Sequence, residues 1–123
     1  TTVAAGAVEG AGLDPDAGFL HGWSHGRPSL ALDLIEPFRA PVVDRLVMRL
    51  FNLGMLKAGD FEGDAREGVR MLGSGRRTVY RAWDELRRET GLDGLMLEQA
   101  VSLRRFFTGG AGQWSPWAWK ARP

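Results

Sequence analysis

Val43, Leu46, Val47, Leu50 and Phe51 recur at i, i+3, i+4, i+7 and i+8, which lays an apolar stripe along one side of a helix. Arg45, Arg49 and Asn52 fall on the opposite side. Pro41 suits the first position of this helix, because its fixed φ is helical and its missing amide is not needed there. Gly54 stops it. The same reasoning predicts a small-sided helix over 2–10 and another over 30–39 that Pro37 kinks or shortens. A helix over 76–89 places Val79, Trp83 and Leu86 on one face. After Gly91 a last helix over 95–107 places Leu97, Ala100 and Val101 inside. GLDPDAG reads as a turn, and GFLHGWSHGRPS as a Gly-rich loop anchored by Phe19-Leu20. Residues 55–75 hold turn residues and one short apolar piece, 69–72. The expected class is therefore all-α: a helical bundle-like domain with at most a short extended segment around 69–72.

A chain of 123 residues makes one domain. Its net charge of +1 excludes a polycation, so any nucleic-acid contact must come from a local basic face. With no cysteine, disulfides, thiolate zinc sites and cysteine nucleophiles are excluded, and a reducing cytoplasm fits. Charged residues interrupt every long apolar window, so no membrane span is expected. The chain opens without Met, inside a helix, as a fragment or a late-starting product does.

The candidate chemistry lies in His21, Asp33 and Glu36. Asp33 and Glu36 are three apart, which puts both carboxylates on one helix face. They sit among Leu30, Ala31, Leu32, Leu34 and Ile35, where an unpaired charge is costly. An arginine, a set of hydrogen bonds or a metal must compensate them. His21, on the preceding loop, can swing over that face. One imidazole with one or two carboxylates suits Mg²⁺ or Mn²⁺, and such an ion can polarise a phosphodiester. The bland reading is a solvated acidic pair and a structural histidine. His25 lies four after His21, but Gly22 and Gly26 argue against the helix a zinc pair needs. Arg27 on the loop is a candidate DNA-phosphate contact. So is the stripe Arg77, Arg81 and Arg88, for which ion pairs with Glu85 are an equal alternative. Trp114, Trp117 and Trp119 are expected to dock on their own domain.

Three stretches resemble the CRISPR adaptation integrase family: Gly12 to His21, Arg27 to Glu36, and Phe38-Arg39 followed by Asp44-Arg45-Leu46. Weaker likeness continues through Asp60-Phe61-Glu62, Gly68-Val69, Arg76 to Arg81 and Ser115 to Lys120. The resemblance implies the family's C-terminal helical catalytic domain over 1–123. His21 is then similar to the metal-binding histidine and Glu36 to a metal-binding acid fifteen residues on. Asp33 is similar to the acid that supports the metal or the DNA phosphate. It also implies Mg²⁺ or Mn²⁺, and joining of a spacer precursor's 3′-hydroxyl to the CRISPR repeat by transesterification, with cleavage of branched DNA. A homodimer bridged by a small ferredoxin-like companion is implied as well.

Two departures from the family pattern stand out. The family's further metal-binding Glu and its N-terminal β-rich domain precede the point where this chain opens. Glu9 does not match that motif, so this chain alone is expected to bind metal weakly and to have little or no activity. Pro37 stands where the family often has an acid, and it removes the amide that the Asp33 carbonyl would accept. The competing class is a non-catalytic helical DNA-binding or scaffold module that kept the fold and lost the chemistry.

Overall fold

The computed structural model describes residues 1–110 and 112–118. The chain is mostly helical, in agreement with the class expected from spacing. Helix α1 (Thr2–Gly10) is followed by the long turn and loop, and then by α2 (Ser29–Phe38). From α2 the backbone runs without interruption through a π-helical stretch, Arg39–Asp44, into α3 (Arg45–Asn52). A single 3₁₀ turn (Ala58–Asp60) leads into strands β1 (Phe61–Asp64) and β2 (Gly68–Met71). Helices α4 (Gly73–Thr90) and α5 (Leu92–Phe107) complete the fold.

Small residues decide how α1 packs. Ala4, Ala7, Val8 and Ala11 are buried in one cluster with Leu30, Ala31 and Leu34 of α2 and Met96, Ala100 and Leu103 of α5. Methyl-sized side chains let the backbones approach, and a Cβ placed on Gly10 would lie 3.8 Å from Leu97 Cδ1. Gly91 takes φ 61°, the left-handed conformation that glycine adopts without a Cβ penalty. It ends α4 and starts α5 in one residue. Leu97, expected inside, is 43% exposed, while Ala100 is fully buried.

The two prolines do not break the helix. Pro37 and Pro41 each delete an amide that an α-helix would use, on the carbonyls of Asp33 and Pro37. The chain widens by one residue per turn instead, so Pro41 sits inside a continuous rod rather than at a helix start. The buried positions accordingly fall at intervals of four: Phe38, Val42, Leu46 and Leu50. This shifts the expected stripe. Val47 and Phe51 are 45% and 51% exposed, and Phe51 stacks on Phe61 of β1 with centroids 6.0 Å apart.

The extended piece near 69–72 has a partner that spacing did not reveal. β1 pairs antiparallel with β2, Phe61 opposite Met71 and Asp64 opposite Gly68. The base of this hairpin also draws α4 forward to Gly73, ahead of the expected start at 76. Gly75 is buried, and a Cβ there would come within 2.8 Å of Met71 Cγ and 3.0 Å of Asp60 Cβ. Ser74 donates its hydroxyl to Asp60 Oδ1 at 2.7 Å. Tertiary contact thus outweighs the poor helix propensity of the Gly-Ser-Gly start. A second core of Leu46, Leu50, Leu56 and Ala82 fills the space beneath, with Trp83 and Leu86 touching both cores.

The aromatic tail docks on the domain, as expected for Trp114 and Trp117; Trp119 and Lys120 lie outside the described residues. Trp117 stacks on Phe38 with centroids 4.4 Å apart and an interplanar angle of 9°. Its amide donates to Gln99 Oε1 at 2.5 Å. Trp114 donates its indole N–H to Ser102 Oγ at 2.9 Å. Among the described residues no helix is long and apolar enough to cross a membrane. Phe38, 1% exposed, joins the main core to the tail. Phe38→Ala should cost about 3–5 kcal/mol in a urea unfolding titration; a loss below about 1 kcal/mol would remove it from the core.

Candidate metal and DNA site

The turn ahead of the loop is set by its own residues. Asp14 Oδ1 accepts the Asp16 amide at 2.9 Å. The Pro15 carbonyl accepts the amides of Leu30 at 2.8 Å and Ala31 at 3.4 Å. It thereby serves donors at the start of α2 that have no partner within the helix. At Gly18 the chain passes so close to Ser29 that a Cβ would meet Ser29 Cβ and the His21 carbonyl at 2.6 Å each. Ser29, fully buried, donates its hydroxyl to the Gly22 carbonyl at 3.0 Å and its amide to the Arg27 carbonyl at 2.8 Å.

Asp33 lies at the centre of this arrangement. It is 2% exposed, and its carboxylate accepts three successive amides from the loop. Phe19 and Leu20 donate to Oδ2 at 2.6 and 2.9 Å, and His21 donates to Oδ1 at 2.9 Å. The His21 ring adds a fourth bond, from Nδ1 to Oδ1 at 2.5 Å. Burial pushes the Asp33 carboxyl up, but the bonds from the Leu20 amide, the His21 ring and the Phe19 and His21 amides outweigh it. The group is held below the usual carboxylate range. A carboxylate at Oδ1 makes Nδ1 the protonated nitrogen, which leaves Nε2 of His21 as a lone-pair donor on a side chain 27% exposed.

Glu36 is placed differently. It lies one turn along α2 on a side chain 38% exposed, with Oε1 3.6 Å from Arg39 Nη1. The structure therefore brings His21 and Asp33 together and leaves Glu36 at the surface. Among the described residues no three His, Asp or Glu side chains gather around one point where an ion would sit. The compensation that the apolar run demands at Asp33 is a set of hydrogen bonds.

Of the basic candidates, Arg27 is exposed on the loop, its amide bonded to the Ser24 carbonyl at 3.0 Å. Arg77 and Arg81 are exposed on α4 and take part in no ion pair among the described residues. The ion pairs of α4 belong to Arg87, which reaches Asp93 at 2.6 Å and Asp84 at 3.5 Å rather than Glu85. Arg88 turns back onto the Asp84 carbonyl at 3.2 Å. The roles of Pro15, Gly18 and Ser29 have no local signature in the sequence: Ser29 does not cap α2 but donates its hydroxyl to the loop, and the close approach at Gly18 is a tertiary fact.

A family model described as CRISPR associated protein Cas1 matches residues 1–85. A CRISPR-associated endonuclease Cas1 of Chlorobaculum tepidum is 38% identical over 126 residues, covering 93% of this chain and 36% of the relative. One from Rhodospirillum rubrum is 39% identical over 124 residues, with the same two coverages of 93% and 36%. Among solved structures, a CAS1 protein from Thermotoga maritima is similar with a TM-score of 0.80 at 29% identity, covering 88% of this chain and 35% of that one. A casposase bound to integration product shares the fold, with a TM-score of 0.77 at 24% identity over 90% of this chain and 33% of that one. The chain thus spans little more than a third of the length of these relatives. The family model takes in well over half of the chain, and the fold agrees with it: the chain belongs to the Cas1 family of CRISPR associated proteins.

Proposed function

We propose that this chain is the C-terminal helical catalytic part of a metal-dependent DNA endonuclease and integrase that inserts spacer DNA into a CRISPR array. The observation that carries this reading is the clamp on His21: its amide and its Nδ1 are both fixed on the buried Asp33 carboxylate. A histidine held in this way presents Nε2 in one tautomer and one orientation, as metal-ligating histidines do. The donor set suits a hard or borderline divalent ion. His21 Nε2 and the Glu36 carboxylate would hold Mg²⁺ or Mn²⁺, and Asp33 orients His21 from behind. When bound, the ion supplies Lewis-acid polarisation of a phosphodiester and activation of a 3′-hydroxyl. Arg39 Nη1 stands 3.6 Å from Glu36 Oε1 at the surface, and an ion would compete with it for that carboxylate. Arg27, Arg77 and Arg81 contact DNA phosphate, and the substrates are the spacer precursor and the CRISPR repeat. The working assembly is a homodimer with a small ferredoxin-like companion.

A second reading, a non-catalytic DNA-binding or scaffold module, draws on one observation: two donors, not three, stand near each other at the loop. The two readings separate on metal-dependent chemistry. In the full-length protein, His21→Ala should lower Mn²⁺-dependent cleavage and joining of branched DNA to the background, and Asp33→Asn should lower it about 10–100-fold. Unchanged rates in a folded His21→Ala variant end the catalytic reading. In isothermal titration this 123-residue chain should bind Mn²⁺ only weakly; sub-micromolar binding that His21→Ala abolishes would contradict that expectation.

The clamp also predicts an acid limb of stability. The native Asp33 carboxyl titrates below its unfolded counterpart, so the unfolded chain takes up the proton first as pH falls. The stabilisation is present above the ordinary carboxylate value of about 3.9 and is lost as pH drops through the lower native value. Urea titrations of the wild type and Asp33→Asn should therefore differ most above about pH 4 and converge below it. A gap that stays constant with pH would show that Asp33 is not ionised in the native clamp.

A further inference from the structure

The four described tryptophans fall into two kinds. Trp83, Trp114 and Trp117 pack against the main core, whereas Trp23 is 75% exposed. Trp23 is nonetheless not on a loose segment. Behind it the chain is fixed by the His21 amide on Asp33, and ahead of it by the Arg27 amide on the Ser24 carbonyl at 3.0 Å. Across the base of the loop, the Ser29 hydroxyl holds the Gly22 carbonyl at 3.0 Å. A Cβ on Gly22 or Gly26 would meet nothing within 4 Å beyond the adjoining residues, so the backbone on either side of Trp23 is open as well. Leu20, close by, is 69% exposed.

From residue 17 to residue 32 there is no Asp or Glu, and the loop carries the exposed Arg27. The neighbouring carboxylate, Asp33, is 2% exposed and its oxygens are taken up by the loop's own amides. A flat apolar surface on a loop that presents Arg27 and no exposed carboxylate fits a ligand that carries an aromatic face next to a negative charge, which is the chemistry of a nucleotide. Bases in a duplex hide their faces in the stack; an unpaired base exposes them. Trp23 is two residues from His21, so the two Cα atoms are at most about 7 Å apart. A base on the indole would then lie near any phosphate that His21 serves.

We propose that Trp23 is a stacking platform for an unpaired base of the DNA substrate, next to the reacting phosphate; this rests on the reading of His21 given above. Stacking of this kind reads no sequence, because every base offers a π-face. It selects DNA with a frayed or single-stranded segment at the site over uninterrupted duplex. Trp23 is then a positioning residue: it fixes the strand beside the ion site and exchanges no proton or electron.

The experiment uses full-length protein without divalent metal, so that binding is read apart from chemistry. Branched DNA carrying 2-aminopurine one or two nucleotides from the junction is compared with the same sequence as plain duplex. Trp23→Ala should weaken binding of the branched DNA about ten- to a hundredfold and abolish the quenching of 2-aminopurine. Trp23→Phe should keep most of both, and duplex affinity should stay unchanged. Equal loss on branched and duplex DNA, or no loss on either, would overturn the proposal. So would dissociation of the dimer by Trp23→Ala in light scattering, which would assign the indole to a protein interface. His21→Ala separates the two readings. If it spares metal-dependent activity while the Trp23 effect on branched DNA persists, the metal reading alone falls; if it abolishes activity while Trp23→Ala leaves quenching intact, the stacking proposal alone falls.

Discussion

A buried carboxylate held by hydrogen bonds sits at the centre of this domain. Asp33, 2% exposed within an apolar helix, would be prohibitively costly if unpaired. It is stabilised by three consecutive amides and one imidazole, all from a loop more than ten residues away in sequence. Charge-assisted bonds of this kind are roughly twice as strong as neutral ones. The exchange works in both directions. The loop has no regular structure of its own to absorb those amides, and among the described residues the acid's hydrogen bonds all come from that loop. Each half needs the other, and α2 and the His21 loop fold as one unit. The tight passage at Gly18 and the buried Ser29 are consequences, since the loop must lie flat on the start of α2 for its amides to reach.

The same helix carries a second constraint further along. Once Pro37 and Pro41 remove amides at a spacing of four, the backbone keeps its direction only by widening, and the burial pattern takes on that period. Phe38 points into the main core against Trp117, and Leu46 and Leu50 into the second core against Ala82. One continuous rod therefore serves two cores. The rotation that achieves this leaves Met48, Phe51 and Leu53 more than half exposed.

These causes explain what was legible in the sequence. Spacing located α1, α2 and the body of α4 and α5, because apolar periodicity and Gly91 are local signals. It misjudged the face of α3 because a π-helical widening changes the period that was being counted. It missed β1 and the early start of α4 because Glu62, Gly63 and Ser74 are fixed by contacts across the hairpin base rather than by their neighbours. At the site, the acid in the apolar run announced a need for compensation. Which kind it received was settled by backbone amides, and amides carry no side-chain identity to be read in advance.

Asp33 and Glu36 show how depth alone divides two acids of nearly the same chemistry. Three residues apart on one helix, their side chains are 0% and 38% exposed. Asp33 has bonds on both oxygens, and releasing any of them would free the loop that carries His21. To recruit it as a direct ligand would therefore dismantle the geometry that aims the imidazole. Glu36 is held by one loose ion pair with Arg39 and can turn without disturbing anything buried. In the function proposed above, Nε2 of His21 and the Glu36 carboxylate are the groups that would hold a divalent ion. The deeper acid contributes by holding still.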